Sequence, residues 1–166
     1  MAVPKKLDLG DWNEMLNSFY EESDRGAAIL VGSFAEHSLG LYLRFRMKDQ
    51  KVANDLFAPM GPLSNFSQRI AIAYAFGLIS EKQYRDFQII RRIRNHFAHH
   101  PMDTTFETKE IKEAAAGLSM MEQATETQHP RPVQRTRMAY LLACGMLCGS
   151  LLDTIEKGHA PKSDAQ

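Results

Sequence analysis

Two cysteines in 166 residues exclude a disulfide framework. Cys144 and Cys148, four residues apart on what reads as one helix, also fall short of a complete zinc site, so both read as core residues. An excess of either charge is missing too. Lys plus Arg and Asp plus Glu stand at 20 each, so no global basic field exists to hold a polyanion, and any nucleic-acid contact must be local. No apolar run of secretory type follows Lys5 and Lys6, and no stretch reaches the roughly 18 apolar residues of a membrane span. The expectation is a cytoplasmic protein with no membrane contact. Val, Ile and Thr never alternate with polar residues long enough for a strand, and neither an internal repeat nor a low-complexity linker interrupts the chain.

What is present is helical periodicity nearly from end to end. The fold class is therefore all-α, a single-domain bundle of about six or seven helices. It is expected over residues 10–157, between a flexible N-terminus (1–9) and a disordered tail (158–166). Trp12, Met15, Leu16 and Phe19 mark a first helix, with Asp8 or Asp11 able to cap it. A long second helix begins after Ser23-Asp24 and runs to about Lys48. It carries Ala27, Leu30, Val31, Phe34, Ala35, Ser38, Leu41, Tyr42 and Phe45 on one stripe and leaves Glu36 and Arg44 off it. Val52, Leu56 and Phe57 make a short third helix, stopped by Pro59-Met60-Gly61-Pro62.

Ser64 or Ser67 can cap a fourth helix through Phe66, Ile70, Ala73 and Tyr74, and Gly77 suits the left-handed position past its end. Ser80-Glu81-Lys82-Gln83 has the form of a capping box, opening a helix that Pro101 must close. A sixth helix starts near Thr108 with Ile111, Ala115, Leu118 and Met121 or Glu122 in register. The last, through Tyr140, Leu141, Cys144, Leu147, Cys148, Leu151, Leu152 and Ile155, is the most apolar and predicts either the central core helix or a subunit interface.

Chemistry, if present, is concentrated in Arg91-Arg92-Ile93-Arg94-Asn95-His96-Phe97-Ala98-His99-His100. On a helical wheel Tyr84, Phe87, Ile90, Ile93 and Phe97 span one apolar arc, and Arg94 falls within it. An unpaired guanidinium there would cost several kcal/mol, so Arg94 needs a carboxylate, a ligand or a wet seam, and Asp24 is the candidate ion-pair partner. His99 and His100 suit the free carbonyls at the helix end. The catalytic alternative is metal-independent RNA cleavage, with His99 as general acid or base, Arg94 neutralising phosphate charge and Asn95 orienting the site. His99 lies about 140° around the helix from Arg94, so that arrangement would need the helix end or a second subunit. His96 and His100 are spaced i, i+4 but lack a third-ligand pattern, so neither metal nor cofactor is expected. Arg91, Arg92, His96 and His100 are candidate binding residues, and Arg85, Arg91, Arg92, Arg131, Arg135 and Arg137 are candidates for a local phosphate-binding patch. No helix pair reads as a helix-turn-helix.

One block of residues carries a resemblance. Gly61-Pro62-Leu63, Ser67-x-Arg69-Ile70, Ala73-Tyr74-Ala75-Phe76-Gly77-Leu78-Ile79 and Tyr84-x-Asp86 leading into Ile90-Arg91-x-Ile93-Arg94 resemble the signature of the mannitol operon repressor (MltR) family. The likeness extends more weakly upstream through Asp24-Arg25-x-Ala27-x-Ile29-Leu30. It implies an all-helical transcriptional regulator without a recognisable DNA-binding motif, working through a protein partner or a local nucleic-acid contact, and not an enzyme. A homodimer through an apolar helix face is expected with it. Arg94-Asn95 followed by His99 is also similar to the short motif of HEPN ribonucleases, whose active site forms across a dimer. That similarity implies the alternative of a metal-independent endoribonuclease using Arg94, Asn95 and His99.

Overall fold

The computed structural model describes residues 18–100, 102, 104–124 and 134–159, and these hold helices, turns and no strand. Helical residues 18–21 precede α1 (Asp24–Arg46), α2 (Gln50–Leu56), α3 (Phe66–Ala75), α4 (Glu81–His99), α5 (Lys109–Ala115) and α6 (Arg135–His159). The all-α expectation holds. Of the expected first helix only the end around Phe19 falls among the described residues, and the N-terminus at 1–9 lies outside them. Of the tail expected at 158–166, residues 158 and 159 belong to α6, and 160–166 lie outside the described residues.

Local chemistry sets the helix starts. The Ser23 side chain accepts the Gly26 N–H at 3.0 Å, and Asp49 accepts those of Lys51 and Val52. α3 is capped by Asn65, which accepts from the Gln68 N–H at 3.1 Å, rather than by Ser64 or Ser67. The amide oxygen of Asn65 reaches the helix amides and also receives the Ser67 hydroxyl at 2.8 Å, so the serine supports the cap instead of making it. Ser80 and Gln83 form the expected capping box. Gly77, at φ +64°, ends α3 with the paired bonds of a Schellman turn, Leu78 N–H to the Ala73 carbonyl and Gly77 N–H to the Tyr74 carbonyl, both at 2.9 Å.

α5 stops at Ala115, short of the expected Leu118 and Met121. Asp86, buried on α4, accepts the Ser119 N–H at 2.9 Å and its hydroxyl at 2.5 Å, and this anchor draws the chain out of helical register into turns. A buried carboxylate so bonded is stable where an unpaired one would not be.

α1 packs along both α4 and α6, α3 lies over α1 and α4, and α5 covers α4 and α6. Phe87, Ile90, Ile93 and Phe97, the predicted apolar arc of α4, are wholly buried. Phe66 meets Phe87 edge-on at 6.0 Å, and Phe106 lies between Phe97 and Tyr140 at 5.0 and 5.4 Å. Each aromatic ring of this size buried contributes about 2 kcal/mol.

α1 and α6 run parallel. Arg137 meets Asp24 at their N-terminal ends, the Tyr140 hydroxyl donates to the Ala28 carbonyl at 2.8 Å, and Phe45 lies against Gly158 at the far end. At Gly32 three helices approach closely. A Cβ there would stand 2.6 Å from the Tyr140 hydroxyl oxygen and 2.8 Å from Arg94 Cγ.

α6 also corrects the expectation that no stretch is apolar enough for a membrane span. Within Arg135–Gly158 a window of 18 residues has a mean hydropathy of 1.6, which meets the length and composition of such a span. Half of that window is buried in the bundle, as a central helix lined by Met138, Leu141, Cys144, Leu147, Cys148 and Leu151 must be. The spacing of its apolar residues had shown the core face but understated the total.

Candidate functional site

α4 divides its chemistry between two faces. Toward α1, Arg94 Nη2 binds Glu36 Oε2 at 2.5 Å, and the other oxygen of Glu36 lies 3.6 Å from Arg69 Nη1 on α3. The sequence pointed to Asp24 as the ion-pair partner of Arg94. Asp24 does form a structural ion pair, but with Arg137 at 2.9 Å, and its second oxygen accepts the Phe106 N–H. The reason is position along α1. Asp24 is at the N-terminal end, about two turns before Gly32, where Arg94 makes its close approach, whereas Glu36 lies one turn beyond Gly32.

Arg69 is fixed on its far side, Nε donating to the Leu63 carbonyl at 2.9 Å and Nη2 to that of Ser64 at 3.1 Å. Its guanidinium and that of Arg44 both sit over the Phe57 ring, at 5.0 and 4.3 Å from the centroid, and Arg94 lies 5.6 Å from the Phe66 centroid. Burial lowers the Arg69 pKa, Glu36 opposes that shift, and the like charge of Arg44 adds to it.

The other face of α4 is open. Arg92 and His99 are exposed, and Arg91 Nε donates to Gln88 at 3.3 Å. His96 and His100 stack at 4.2 Å, with His100 Nδ1 placed 3.0 Å from the His96 carbonyl oxygen. His100 thus meets a carbonyl at the helix end as expected, whereas His99, expected to do the same, is exposed and makes no such bond among the described residues. Arg92, Ile93 and His96 form one wall of a groove of about 270 Å³ whose other wall is Glu110, Ile111, Glu113 and Ala114 of α5.

The structure does not assemble Arg94, Asn95 and His99 into one site. Arg94 turns in toward Glu36, Asn95 is half-buried, and no hydrogen bond links the exposed His99 to either. The expected phosphate-binding patch disperses as well. Arg137 is buried on Asp24, Arg85 pairs with Glu81, Arg135 donates to the Met121 carbonyl, and Arg131 lies outside the described residues. Sequence reasoning missed Glu36 and Arg69. A usable signal was present in Gly32-x3-Glu36-x3-Gly40, where glycines one turn either side of a carboxylate mark the face that other helices approach most closely.

Comparisons with known proteins agree with this architecture. The solved structure titled as the MtlR–HPr complex from Escherichia coli matches with a TM-score of 0.66 at 18% identity, over 84% of this chain and 97% of that one, a likeness of fold. No curated protein matches the chain. The family model described as mannitol repressor, MtlR, matches residues 44–144, more than half the sequence, and includes α3, α4 and α5 entire. The chain belongs to the mannitol repressor family and is an MltR-like regulator.

Proposed function

We propose that this regulator acts in the cytoplasm by docking a protein partner of the HPr kind on the outer surface of α4 and α5. The observation that carries the reading is the groove between them, where Arg92 and His96 face Glu110 and Glu113 across an apolar floor of Ile93 and Ile111. Mixed charge around an apolar centre suits a protein surface, where complementary potentials set register and encounter rate. A duplex or RNA backbone would meet two carboxylates there. The fold shared with a protein solved in complex with HPr supports the same reading. Arg91 and His100 flank the groove on α4 and extend the surface. Self-association is the second contact in this reading, through the outer faces of α1 and α6, where Leu30 and Met146 are exposed. Sedimentation velocity reads it directly.

The test is isothermal titration of the protein with HPr from its own organism, alongside Arg92→Ala and Glu113→Ala. Binding by wild type, weakened about tenfold by either substitution, supports the site. Absence of binding, or binding that both variants retain in full, removes it. Anisotropy titrations with operator DNA and mixed-sequence RNA decide whether a nucleic-acid contact exists instead.

A further inference from the structure

Glu36 is the only carboxylate among the described residues that pairs with Arg69 or Arg94, and none pairs with Arg44, whose Nη1 donates to the neutral Asn54 at 2.7 Å. Arg69 and Arg94 therefore share one negative charge, and Arg44, drawn beside Arg69 by the Phe57 ring, adds a third positive charge with no paired carboxylate among the described residues, at the junction of α1, α2 and α3 with α4. The cluster is gathered over two rings, Phe57 and Phe66, which form an apolar floor that limits screening by water. Its side chains are not sealed in. Arg69, Arg94 and Glu36 keep 15%, 22% and 22% of their side-chain surface exposed, so an ion can reach them from solvent.

Donor geometry points the same way. Arg69 spends Nε and Nη2 on carbonyls and leaves Nη1 with a carboxylate oxygen at 3.6 Å, beyond a hydrogen bond. Arg94 commits one Nη2 bond to Glu36, and none of its other N–H groups has a partner among the described residues. Arg94 Nε is buried, but its remaining Nη N–H groups, Arg69 Nη1 and the Arg44 donors not used on Asn54 are left for an anion of more than one oxygen. A carboxylate is already in place and leaves two positive charges unmatched. A dianion matches them, and planar guanidinium forks bind phosphoryl oxygens in pairs.

We propose that Arg44, Arg69 and Arg94 form a binding site for a small phosphate dianion, free or as a monoester, with Glu36 as a built-in competitor for the same donors. The site lies on the α1 side of α4 and is independent of the partner groove on its α5 side. Glu36 sets its affinity, because it neutralises part of the charge that the ligand would meet.

Calorimetric titration at fixed ionic strength tests it, with inorganic phosphate, glycerol 3-phosphate and acetate as probes, on wild type, Arg44→Ala and Glu36→Gln, each checked for helicity and melting. Saturable binding of phosphate but not acetate is expected, tightened about tenfold in Glu36→Gln and weakened about tenfold in Arg44→Ala. The tightening distinguishes a ligand site from a structural ion pair, whose disruption would only loosen the fold. Tighter binding of glycerol 3-phosphate assigns the site to esters, and preference for the inorganic ion assigns it to free phosphate. The proposal is overturned if wild type binds neither phosphate probe, if acetate binds equally well, or if Arg44→Ala binds like wild type. Arg44 bonds to Asn54 and covers Phe57 at the bundle surface without holding a buried charge, so its replacement keeps the test available should Glu36→Gln fail to fold.

Discussion

α1 has two seams, and they are built on opposite principles. Against α6 the seam is closed. Arg137 is held by Asp24 and by the carbonyls of Phe19, Tyr20 and Glu22, Tyr140 is bonded to Ala28, and Cys144 and Cys148 are buried beyond them. Against α3 and α4 the seam is half-open, with Arg69 and Arg94 on one carboxylate and Arg44 beside Arg69 over Phe57. Both Arg137 and Arg94 leave Nε unbonded, so the contrast lies in the rest of the fork. Arg137 Nη2 has three backbone acceptors, and Arg94 depends on a carboxylate that Arg69 also draws on. A charge surrounded by the chain's own carbonyls is committed to the fold, while one sharing a single counter-ion is available to something else.

The largest effect should come from the closed seam. Arg137→Ala takes the counter-ion from Asp24 and removes the carbonyl clamp at the start of α1, costing about 3–5 kcal/mol in urea unfolding. The same seam should make the protein labile to alkali. Burial pushes the Cys148 thiol up to about 12 from its usual 9.0, and Cys144 and Tyr140 are raised in the same direction. These groups stay neutral in the fold but ionise freely once it opens. Stability is therefore full below about pH 9 and falls as pH rises toward 12. Chemical denaturation across that range reads it, and a stability independent of pH there would mean the seam is wetter than its packing shows.

Gly32→Ala tests the crossing that joins both seams. Its Cβ would meet Tyr140 and Arg94 inside normal contact, and the strain should lower stability by about 1–3 kcal/mol, visible as an earlier melting transition. Arg94→Met should cost only about 1 kcal/mol, because Glu36 keeps Arg69 and stays partly solvated. A loss as large as that of Arg137→Ala would place Arg94 among the structural ions. Smallest of all, Arg92→Ala should shift stability by no more than about 0.5 kcal/mol while weakening partner binding.

Most of the fold was legible because its signals are local. The capping box at Ser80, the glycine after α3 and the buried arc from Phe87 to Phe97 follow from residues within one or two turns of each other. The end of α5 was not, since it depends on Asp86 reaching Ser119 from another helix. The site followed the same rule. Periodicity shows that Arg94 points inward and needs an anion, but which acid answers depends on the level at which two helices cross, so the sequence points to Asp24 and does not single out Glu36. Arg69 escaped notice because it lies in a family-like motif whose individual side chains periodicity cannot rank. The placement of Arg94, Asn95 and His99 around their helix, by contrast, was readable at once and already argued against a single-chain ribonuclease site.

The parallel packing of α1 on α6 has a consequence for biosynthesis. The Arg137–Asp24 contact joins residues 113 apart in sequence, so the bundle cannot close on the ribosome until α6 has cleared the exit tunnel. Until then α1 presents Ala27, Ala28, Val31 and Ala35 without the helix that covers them. The nascent chain waits with an exposed apolar groove, a substrate for chaperones, and a message truncated before residue 135 would yield a product directed to degradation rather than a weakened regulator.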